Sequence, residues 1–162
     1  MVAAKAGSKD VIVTRIFEAQ PERVWKSWSD ADQVMRWWGP NSFTSPSCKM
    51  DFREGGRTVV CMRSPDGQDF YNTWKYEAIV PFERLEYIQN LSDGDGKMIA
   101  PESVGLRADF PRDVRTVVTF KAVGAKTEMT MTEYGFPDSE MFKMAEMGLH
   151  QCLDKMAESL KK

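Results

Sequence analysis

Histidine and cysteine are scarce in this sequence, with one histidine and three cysteines among 162 residues. Cys48, Cys61 and Cys152 lie far apart, and no CxxC motif or histidine pair accompanies them. An odd number of isolated cysteines argues against a disulfide framework, and a zinc site needs closely spaced ligands. We therefore interpret the three cysteines as buried reduced thiols, and we expect neither a metal site nor a cofactor.

Basic clusters and long apolar segments are missing as well. The 22 Lys and Arg nearly balance the 24 Asp and Glu, and the formal charge is -2. Without a basic face, binding to nucleic-acid phosphates is not expected. No run approaches the roughly 20 apolar residues that cross a bilayer, and residues 1–10 lack the apolar segment of a secretion signal. The sequence therefore predicts a cytoplasmic protein without a membrane span.

The usual residues of nucleophilic catalysis are also lacking. His150 is the only histidine, and no GxSxG motif or phosphate-binding glycine motif with its Lys-Ser/Thr occurs. At helical spacing His150 lies at the boundary of a buried face, where a histidine with one hydrogen bond is the ordinary interpretation. We assign no catalytic residue from these patterns.

The length fits a single domain, and the chain begins with small and polar residues. We expect residues 1–9 to form a flexible N-terminal arm and residues 10–162 to form one domain. The β-branched segment 11–19 predicts a strand. Pro21 then opens a short helix whose apolar residues Val24, Trp25 and Trp28 follow at helical spacing.

A second short helix is predicted directly after the first. Asp30 with Gln33 resembles a capping box, and the helix would carry Val34, Trp37 and Trp38 before Gly39 and Pro40 end it.

Alternating apolar and polar residues, broken by turn motifs, follow over residues 46–136 and predict six antiparallel strands. The segment 92–113 is rich in glycine, proline and acidic residues, so we expect a long surface loop there. Pro137 and Asp138 open a final helix with a buried stripe formed by Phe142, Ala145, Leu149, Leu153, Met156 and Leu160. The fold class is therefore α+β, with a twisted seven-stranded antiparallel sheet wrapped around a long C-terminal helix and two short helices after the first strand.

The turn sequences predict which side chains of the sheet face this helix. A three-residue turn at 65–67 places Arg63 opposite Asp69, and one face then carries Val60, Met62, Phe70, Asn72, Trp74 and Tyr76. A two-residue turn at Gly124-Ala125 directs four more apolar side chains inward together, namely Val118, Phe120, Met129 and Met131. The same register brings Thr116 and Glu133 to the inner face, where a carboxylate needs a partner or water.

The turn at Gly55-Gly56 allows two registers. A two-residue loop pairs Glu54 with Arg57, whereas a three-residue loop directs Cys48, Met50 and Phe52 inward. We favour the second because burying an apolar side chain contributes about 1.5 to 3 kcal/mol, more than one exposed ion pair.

Methionine and aromatic side chains dominate the inner face, which suits an adaptable apolar or aromatic ligand. The same pattern is more often that of a packed core, and from the pattern alone core packing is favoured over a cavity. If a cavity exists, the candidate ligand-contacting residues are Trp37, Trp38, Val60, Met62, Phe70, Asn72, Trp74, Tyr76, Val118, Phe120, Met129, Met131, Glu133, Phe142 and Leu149.

Five ordered motifs resemble a known family. They stand at 15–19, 21–25, 36–40, 51–57 and 81–85 and read RIFEA, PERVW, RWWGP, DFREGGR and PFERL. These motifs are similar to those of the activator of heat-shock-protein-ninety ATPase homologue group in the START-like, birch-allergen-like SRPBCC superfamily. The resemblance implies the helix-grip fold, with a space between helix and sheet that commonly holds a hydrophobic ligand. Two positions differ from the usual pattern: Leu149 follows Gly148 where tryptophan is usual, and Trp74 stands where glycine is usual and could fill part of that space.

The leading hypothesis is a non-catalytic binder of a small hydrophobic or aromatic molecule. Two alternatives stand beside it. The first is an aromatase/cyclase- or hydrolase-like enzyme that uses the same cavity, with Glu133, Tyr76 or His150 as acid or base. The second, which only the family resemblance suggests, is a module that stimulates the chaperone ATPase through a chaperone partner. A homodimer formed through an exposed sheet face is left open.

Overall fold

The computed structural model describes residues 9–137 and 139–161. Within these ranges the strands are β1 (Lys9–Phe17), β2 (Cys48–Met50), β3 (Arg57–Arg63), β4 (Asp69–Val80), β5 (Arg84–Ser92), β6 (Val114–Val123) and β7 (Lys126–Phe136). The helices are α1 (Pro21–Ser29), α2 (Ala31–Val34) and α3 (Ser139–Ser159), and a single 3-10 turn, Pro101–Val104, interrupts the connection between β5 and β6.

The described strands form one antiparallel sheet in the order β1-β7-β6-β5-β4-β3-β2. Consecutive strands from β2 to β7 are neighbours, and β1 closes the other edge by pairing with β7. The predicted α+β architecture, with a seven-stranded sheet and a long C-terminal helix, is therefore confirmed.

The predicted beginning of the chain differs from the structure at its boundaries. β1 begins at Lys9 and ends at Phe17 instead of covering 11–19. The assignment of Lys9 to a flexible arm is wrong because this residue pairs with Phe136 of β7. The rest of the expected arm lies outside the described residues, as does Asp138 at the predicted start of the last helix.

The two short helices form where expected, but α2 is shorter than predicted. Asp30 caps α2 by accepting a hydrogen bond from the backbone N–H of Asp32 at 2.9 Å. The predicted capping box is incomplete because the backbone N–H of Asp30 donates to the Lys26 carbonyl at 3.2 Å and so closes α1. Trp37 and Trp38 follow α2 rather than belonging to it, with both backbone N–H groups directed to the Val34 carbonyl in a tight final turn.

The hairpin registers expected from two of the turns are confirmed. Gly67 adopts a φ of 91°, a conformation that favours glycine, and Ser64 donates its backbone N–H to Gln68 at 2.9 Å. Arg63 lies opposite Asp69, and their side chains form an ion pair at 2.6 Å. The β6-β7 hairpin pairs Phe120 with Met129, Val118 with Met131 and Thr116 with Glu133.

The β2-β3 hairpin has the expected orientation and a longer connection. Cys48 pairs with Val60 and Met50 with Thr58, so the apolar side chains of β2 pack against the core. The expected three-residue loop is wrong because Met50, rather than Phe52, lies opposite Thr58, and the backbone N–H of Asp51 still donates to the Arg57 carbonyl at 3.1 Å. The connecting segment is also bonded to β4, where the backbone N–H of Gly55 donates to the Tyr76 carbonyl at 2.9 Å.

Buried aromatic rings fill the centre of the space between the helices and the sheet. Trp74 lies between Trp38 and Tyr87, with ring centroids 5.1 Å away on each side, and Trp28 packs on Trp37 at 4.7 Å. Three indole N–H groups have acceptors: Trp74 donates to Gln89, Trp37 to the Ser27 carbonyl and Trp28 to the Met129 sulfur. This cluster supplies much of the apolar burial that holds the fold together.

α3 lies over one side of the sheet rather than over its middle. Its closest strand neighbours are β1 at the sheet edge and β7 beside it. Its C-terminal half buries Leu153 and Met156 against the core, and Leu160, directly after the helix, is buried with them, as the predicted stripe requires. His150 is exposed rather than at the boundary of the buried face, and its backbone carbonyl accepts a hydrogen bond from Arg15 of β1 at 3.4 Å.

Candidate functional site

A half-open cavity of about 410 Å³ lies between the N-terminal half of α3 and the sheet. It exists because α3 runs along β1 and β7, so that part of the space over β3, β4 and β5 is not filled by the helix. Apolar side chains make up most of its surface. The volume falls in the range of about 300 to 1,000 Å³ that is typical of small-molecule sites.

Strands and helix each contribute one wall of the cavity. The sheet contributes Met62, Phe70, Asn72, Gln89, Leu91, Glu133 and Phe136. The helix contributes Met141, Met144, Ala145, Gly148, Leu149 and Cys152. Because Gly148 has no side chain and no atom lies within 4 Å of the position of a Cβ there, the helix wall is recessed at this point.

Two irregular segments complete the cavity. One follows α2 and contributes Trp38, Gly39, Pro40 and Phe43, and the other belongs to the β5-β6 connection and contributes Leu106, Arg107, Phe110 and Pro111. The first is tied to α3, because Lys155 donates to the Gly39 carbonyl at 2.8 Å and to the Phe43 carbonyl at 3.2 Å. Gln151 also accepts a hydrogen bond from the backbone N–H of Asn41 at 2.9 Å. The long connection predicted at 92–113 is therefore a wall of the site as well as a surface loop.

The candidate residues from the sequence divide into two groups in the structure. Those that line the cavity are Trp38, Met62, Phe70, Asn72, Glu133 and Leu149. Those that lie elsewhere are Trp37, Val60, Trp74, Tyr76, Val118, Phe120, Met129, Met131 and Phe142. Strand alternation identified the inner face correctly, but only one end of that face is open.

The remainder of the inner face is packed core, mainly because α1 and Trp74 fill it. Trp25 of α1 packs on Phe120 with ring centroids 5.2 Å apart and on Phe52 at 5.8 Å. Trp74 is fully buried within the tryptophan cluster, so its indole occupies the middle of the grip. Phe142 turns away toward β1, where the ammonium group of Lys9 lies 5.4 Å from its ring centroid.

Glu133 is the most unusual side chain in the cavity wall. Only 7% of its surface is exposed, and within residues 9–137 and 139–161 its carboxyl group has neither a hydrogen-bond nor an ion-pair partner. Its register partner Thr116 donates its hydroxyl to the Val114 carbonyl at 3.3 Å instead. Burial raises the pKa of Glu133 from 4.5 to about 7, because the charged form loses its hydration.

The charge of Glu133 affects the pKa values of two other buried groups, the Tyr87 phenol and the Cys152 thiol. Burial raises the pKa of the Tyr87 phenol well above its usual range, and the charge of Glu133 adds to this effect. Burial also raises the pKa of Cys152 to about 11, with a smaller contribution from Glu133. Near neutral pH both groups are therefore uncharged, and Glu133 is the group that titrates.

Three other polar side chains of the cavity wall are already engaged, whereas the buried indole N–H of Trp38 has no hydrogen-bond partner among the described residues. Gln89 accepts the hydrogen bond from the Trp74 indole at 3.0 Å, and Asn72 donates weakly to the Asn90 carbonyl at 3.5 Å. Arg107 is exposed and forms an ion pair with Asp109 at 2.7 Å. Glu133 and the Trp38 indole are therefore the polar groups of the cavity wall left without a partner among the described residues, and Glu133 is the one of the two that can carry a charge.

Tyr76 and His150, the other two acid or base candidates, do not line the cavity. Tyr76 is fully buried in the core, where its hydroxyl is hydrogen bonded to that of Thr58 at 2.5 Å. His150 is exposed on the opposite side of α3. In the described part of the chain, no group of three or more His, Cys, Asp or Glu residues is placed to hold a metal ion.

Several cavity residues were not identified from the sequence. Gln89 and Leu91 follow from alternation along β5, whose inner face could have been assigned in the same way as its neighbours. Leu106 and Phe110 stand out as apolar residues within a polar connection, which is a usable signal. Phe136 was not predictable from alternation, because Gly135 adopts a φ of 87° and the pairing with β1 shifts register there.

A twisted antiparallel sheet that holds a long C-terminal helix over an apolar cavity defines a helix-grip protein. The chain belongs to the family described as Activator of Hsp90 ATPase homolog 1-like protein, whose family model matches residues 18–161. The family expected from the motifs is therefore confirmed.

Solved structures show the same fold at low sequence identity. A protein from Chromobacterium violaceum superimposes with a TM-score of 0.78 at 22% identity and covers 94% of this chain and 97% of its own. A protein from Arthrobacter aurescens superimposes with a TM-score of 0.78 at 24% sequence identity, and the match covers 99% of this chain and 91% of that protein. The AHSA1 protein from Silicibacter pomeroyi superimposes with a TM-score of 0.76 at 20% sequence identity, and the match covers 94% of this chain and 98% of that protein.

None of the curated proteins matches the chain significantly. Within the described ranges, no helix is both long and apolar enough to cross a membrane.

Proposed function

We propose that this protein binds a small hydrophobic or aromatic molecule in the cavity between α3 and the sheet. The observation that carries the proposal is the unfilled space of about 410 Å³ between the two elements, bounded mainly by apolar side chains. Transfer of an apolar ligand from water into such a space is favourable by about 25 cal/mol for each Å² of apolar surface removed from water.

The composition of the wall supports an adaptable site. Met62, Met141 and Met144 are unbranched and flexible, so they can adjust to ligands of different shape. Phe43, Phe70 and other rings supply flat apolar area. Trp74 fills the middle of the space between the helices and the sheet, so the ligand is limited to the cavity beside the N-terminal half of α3. A space of this size favours a molecule with one or two rings.

The cavity can be filled by a substitution at Gly148. A new side chain there would enter open space, because no atom lies within 4 Å of its Cβ, and it would replace a helix-destabilising glycine. We expect Gly148→Phe to fold normally and to lose binding of a fluorescent apolar probe such as phenylnaphthylamine by about tenfold or more. Met147→Phe is the matched control, because Met147 is adjacent on α3 and 62% exposed.

Probe titration followed by fluorescence, with urea unfolding of each variant, tests the proposal. Binding to the wild type and to Met147→Phe, together with loss in Gly148→Phe, supports it. If the folded wild type takes up no apolar probe, or if Gly148→Phe binds as well as the control, the proposed function is wrong.

The other hypotheses stay predictions. An enzymatic role would use Glu133, which alone among the three acid or base candidates lines the cavity. The chaperone hypothesis is supported by the family name, and stimulation of the chaperone ATPase by the purified protein would test it. A cytoplasmic location and a homodimer through an exposed sheet face also stay predictions.

A further inference from the structure

The carboxyl group at the inner wall of the cavity has no internal partner to explain its burial. Glu133 is more than nine-tenths buried and lines the cavity, and no hydrogen bond or ion pair satisfies it within residues 9–137 and 139–161. A buried carboxyl group without a partner is costly to the fold, so its presence in a wall that faces a ligand site points to a partner on the ligand.

Charge complementarity decides which kind of partner fits. Besides Glu133, the ionisable side chains of the cavity wall are Cys152, whose thiol is uncharged near neutral pH, and Arg107. Arg107 is exposed and already paired with Asp109 at 2.7 Å. An ionised Glu133 is therefore a buried negative charge that the surrounding described side chains do not compensate. A cationic group on the ligand would compensate it.

The aromatic residues of the wall favour the same kind of ligand. Trp38, Phe43, Phe70, Phe110 and Phe136 line the cavity, and the rings of Phe43 and Phe70 lie 6.4 Å apart. The negative face of an aromatic ring attracts an ammonium group, and a carboxylate among several rings is a typical arrangement for recognising organic cations. A neutral ligand would use the apolar area of these rings but would leave Glu133 without a charged partner.

We propose that the cavity binds a hydrophobic molecule that carries one protonated amine, with the ammonium group held by Glu133 and the hydrocarbon part by the aromatic and methionine side chains. This inference rests on the proposed function, since it specifies the chemical class of the ligand that the same cavity takes.

The proposal predicts a particular pH dependence. The ionisable groups that interact with the charge of Glu133 are Tyr87 of β5 and Cys152 of α3, and Arg107 of the β5-β6 connection is the one further ionisable side chain in the described cavity wall. The pKa values of Tyr87 and Cys152 are both raised away from neutrality, whereas that of Glu133 is about 7. Amine affinity should therefore be constant from about pH 7 up to the pKa of the amine itself, and it should fall by about tenfold for each pH unit below 7, because Glu133 must lose its proton to bind the cation.

Naphthylmethylamine and naphthalenemethanol form a suitable probe pair, because they share the ring system and differ only in the terminal group. Isothermal titration calorimetry would measure the affinity of both for the wild type, for Glu133→Gln and for Glu128→Gln. Gln is close in shape to Glu but cannot ionise. Glu128 is the control because it lies on the same strand, opposite Lys121 and outside the cavity wall.

The expected result is a preference of the wild type and of Glu128→Gln for the amine by about tenfold or more. This preference should fall to about one in Glu133→Gln, and amine binding below pH 7 should release a proton. If both probes bind equally well, or if the alcohol binds more tightly, the amine inference is overturned while the proposed function stands. If neither probe binds to the folded protein, the amine inference is overturned, and the proposed function is overturned with it if phenylnaphthylamine also fails to bind.

Discussion

Replacing Glu133 by glutamine should remove a pH-dependent loss of stability from the unliganded protein. The pKa of Glu133 is 4.5 in the unfolded chain and is raised to about 7 in the folded protein by burial. Between these two pH values the folded state holds a proton that the unfolded state has released. The contribution of Glu133 to the free energy of unfolding is therefore unchanged below pH 4.5, falls as the pH rises through this window, and is constant above pH 7.

The size of this effect follows from the difference between the two pKa values. At about 1.4 kcal/mol for each pH unit, the rise from 4.5 to about 7 corresponds to a loss of about 3 kcal/mol. This is a large share of the 5 to 15 kcal/mol that is roughly typical of folded domains. Glu133→Gln does not ionise, so its stability relative to the wild type should rise by about 3 kcal/mol between pH 4.5 and neutral pH.

Urea unfolding of both proteins, followed by tryptophan fluorescence at a series of pH values from 4.5 to about 8, measures this difference. The comparison cancels the carboxyl groups that both proteins share, such as Asp69, whose pKa is lowered by the Arg63 guanidinium. Glu128→Gln is again the control and should follow the wild type. If the difference between wild type and Glu133→Gln is independent of pH, Glu133 does not carry a raised pKa, and the account of it as an unpartnered buried acid is refuted.

Two further predictions concern the core and the cysteines. Trp74→Ala should lower the free energy of unfolding by about 3 to 5 kcal/mol and Trp74→Phe by less, because the indole is fully buried between Trp38 and Tyr87. Equal stability of the wild type and both variants in urea unfolding would contradict this. Cys152 should react slowly with iodoacetamide, because a pKa of about 11 leaves about one thiol in a thousand ionised near pH 8. Rapid labelling of Cys152 in the folded protein, measured by mass spectrometry, would contradict this prediction.

The sheet was predictable because its registers depend on local turn chemistry. Gly67 and the Gly124-Ala125 turn each define which residues pair, and every residue further along the two strands follows from that choice by alternation. The position of Glu133 on the inner face, opposite Thr116, was found in this way. The β2-β3 connection was predicted less well because its loop is held by hydrogen bonds to β4, which a local motif does not contain.

The cavity was predictable only in part, because alternation identifies a face but not the depth of the space above it. Val118, Phe120, Met129 and Met131 were correctly placed on the inner face, yet they lie under α1 and the core rather than beside the cavity. Residues 106–111 were expected in a surface loop. They also line the cavity, because of the path that the whole β5-β6 connection takes, and no local motif predicts that path.

The sequence by itself determined the family, the registers of the β3-β4 and β6-β7 hairpins, the buried stripe of α3 and the presence of a carboxyl group on the inner face, since each depends on short motifs or on short-range periodicity. Tertiary structure alone decided that α3 follows the β1 edge, that Trp25 and Trp74 fill the middle of the grip, and that Glu133 is left beside open space. The physical reason is that a cavity is the volume left over when several distant surfaces pack together, and no single segment of the chain contains that volume.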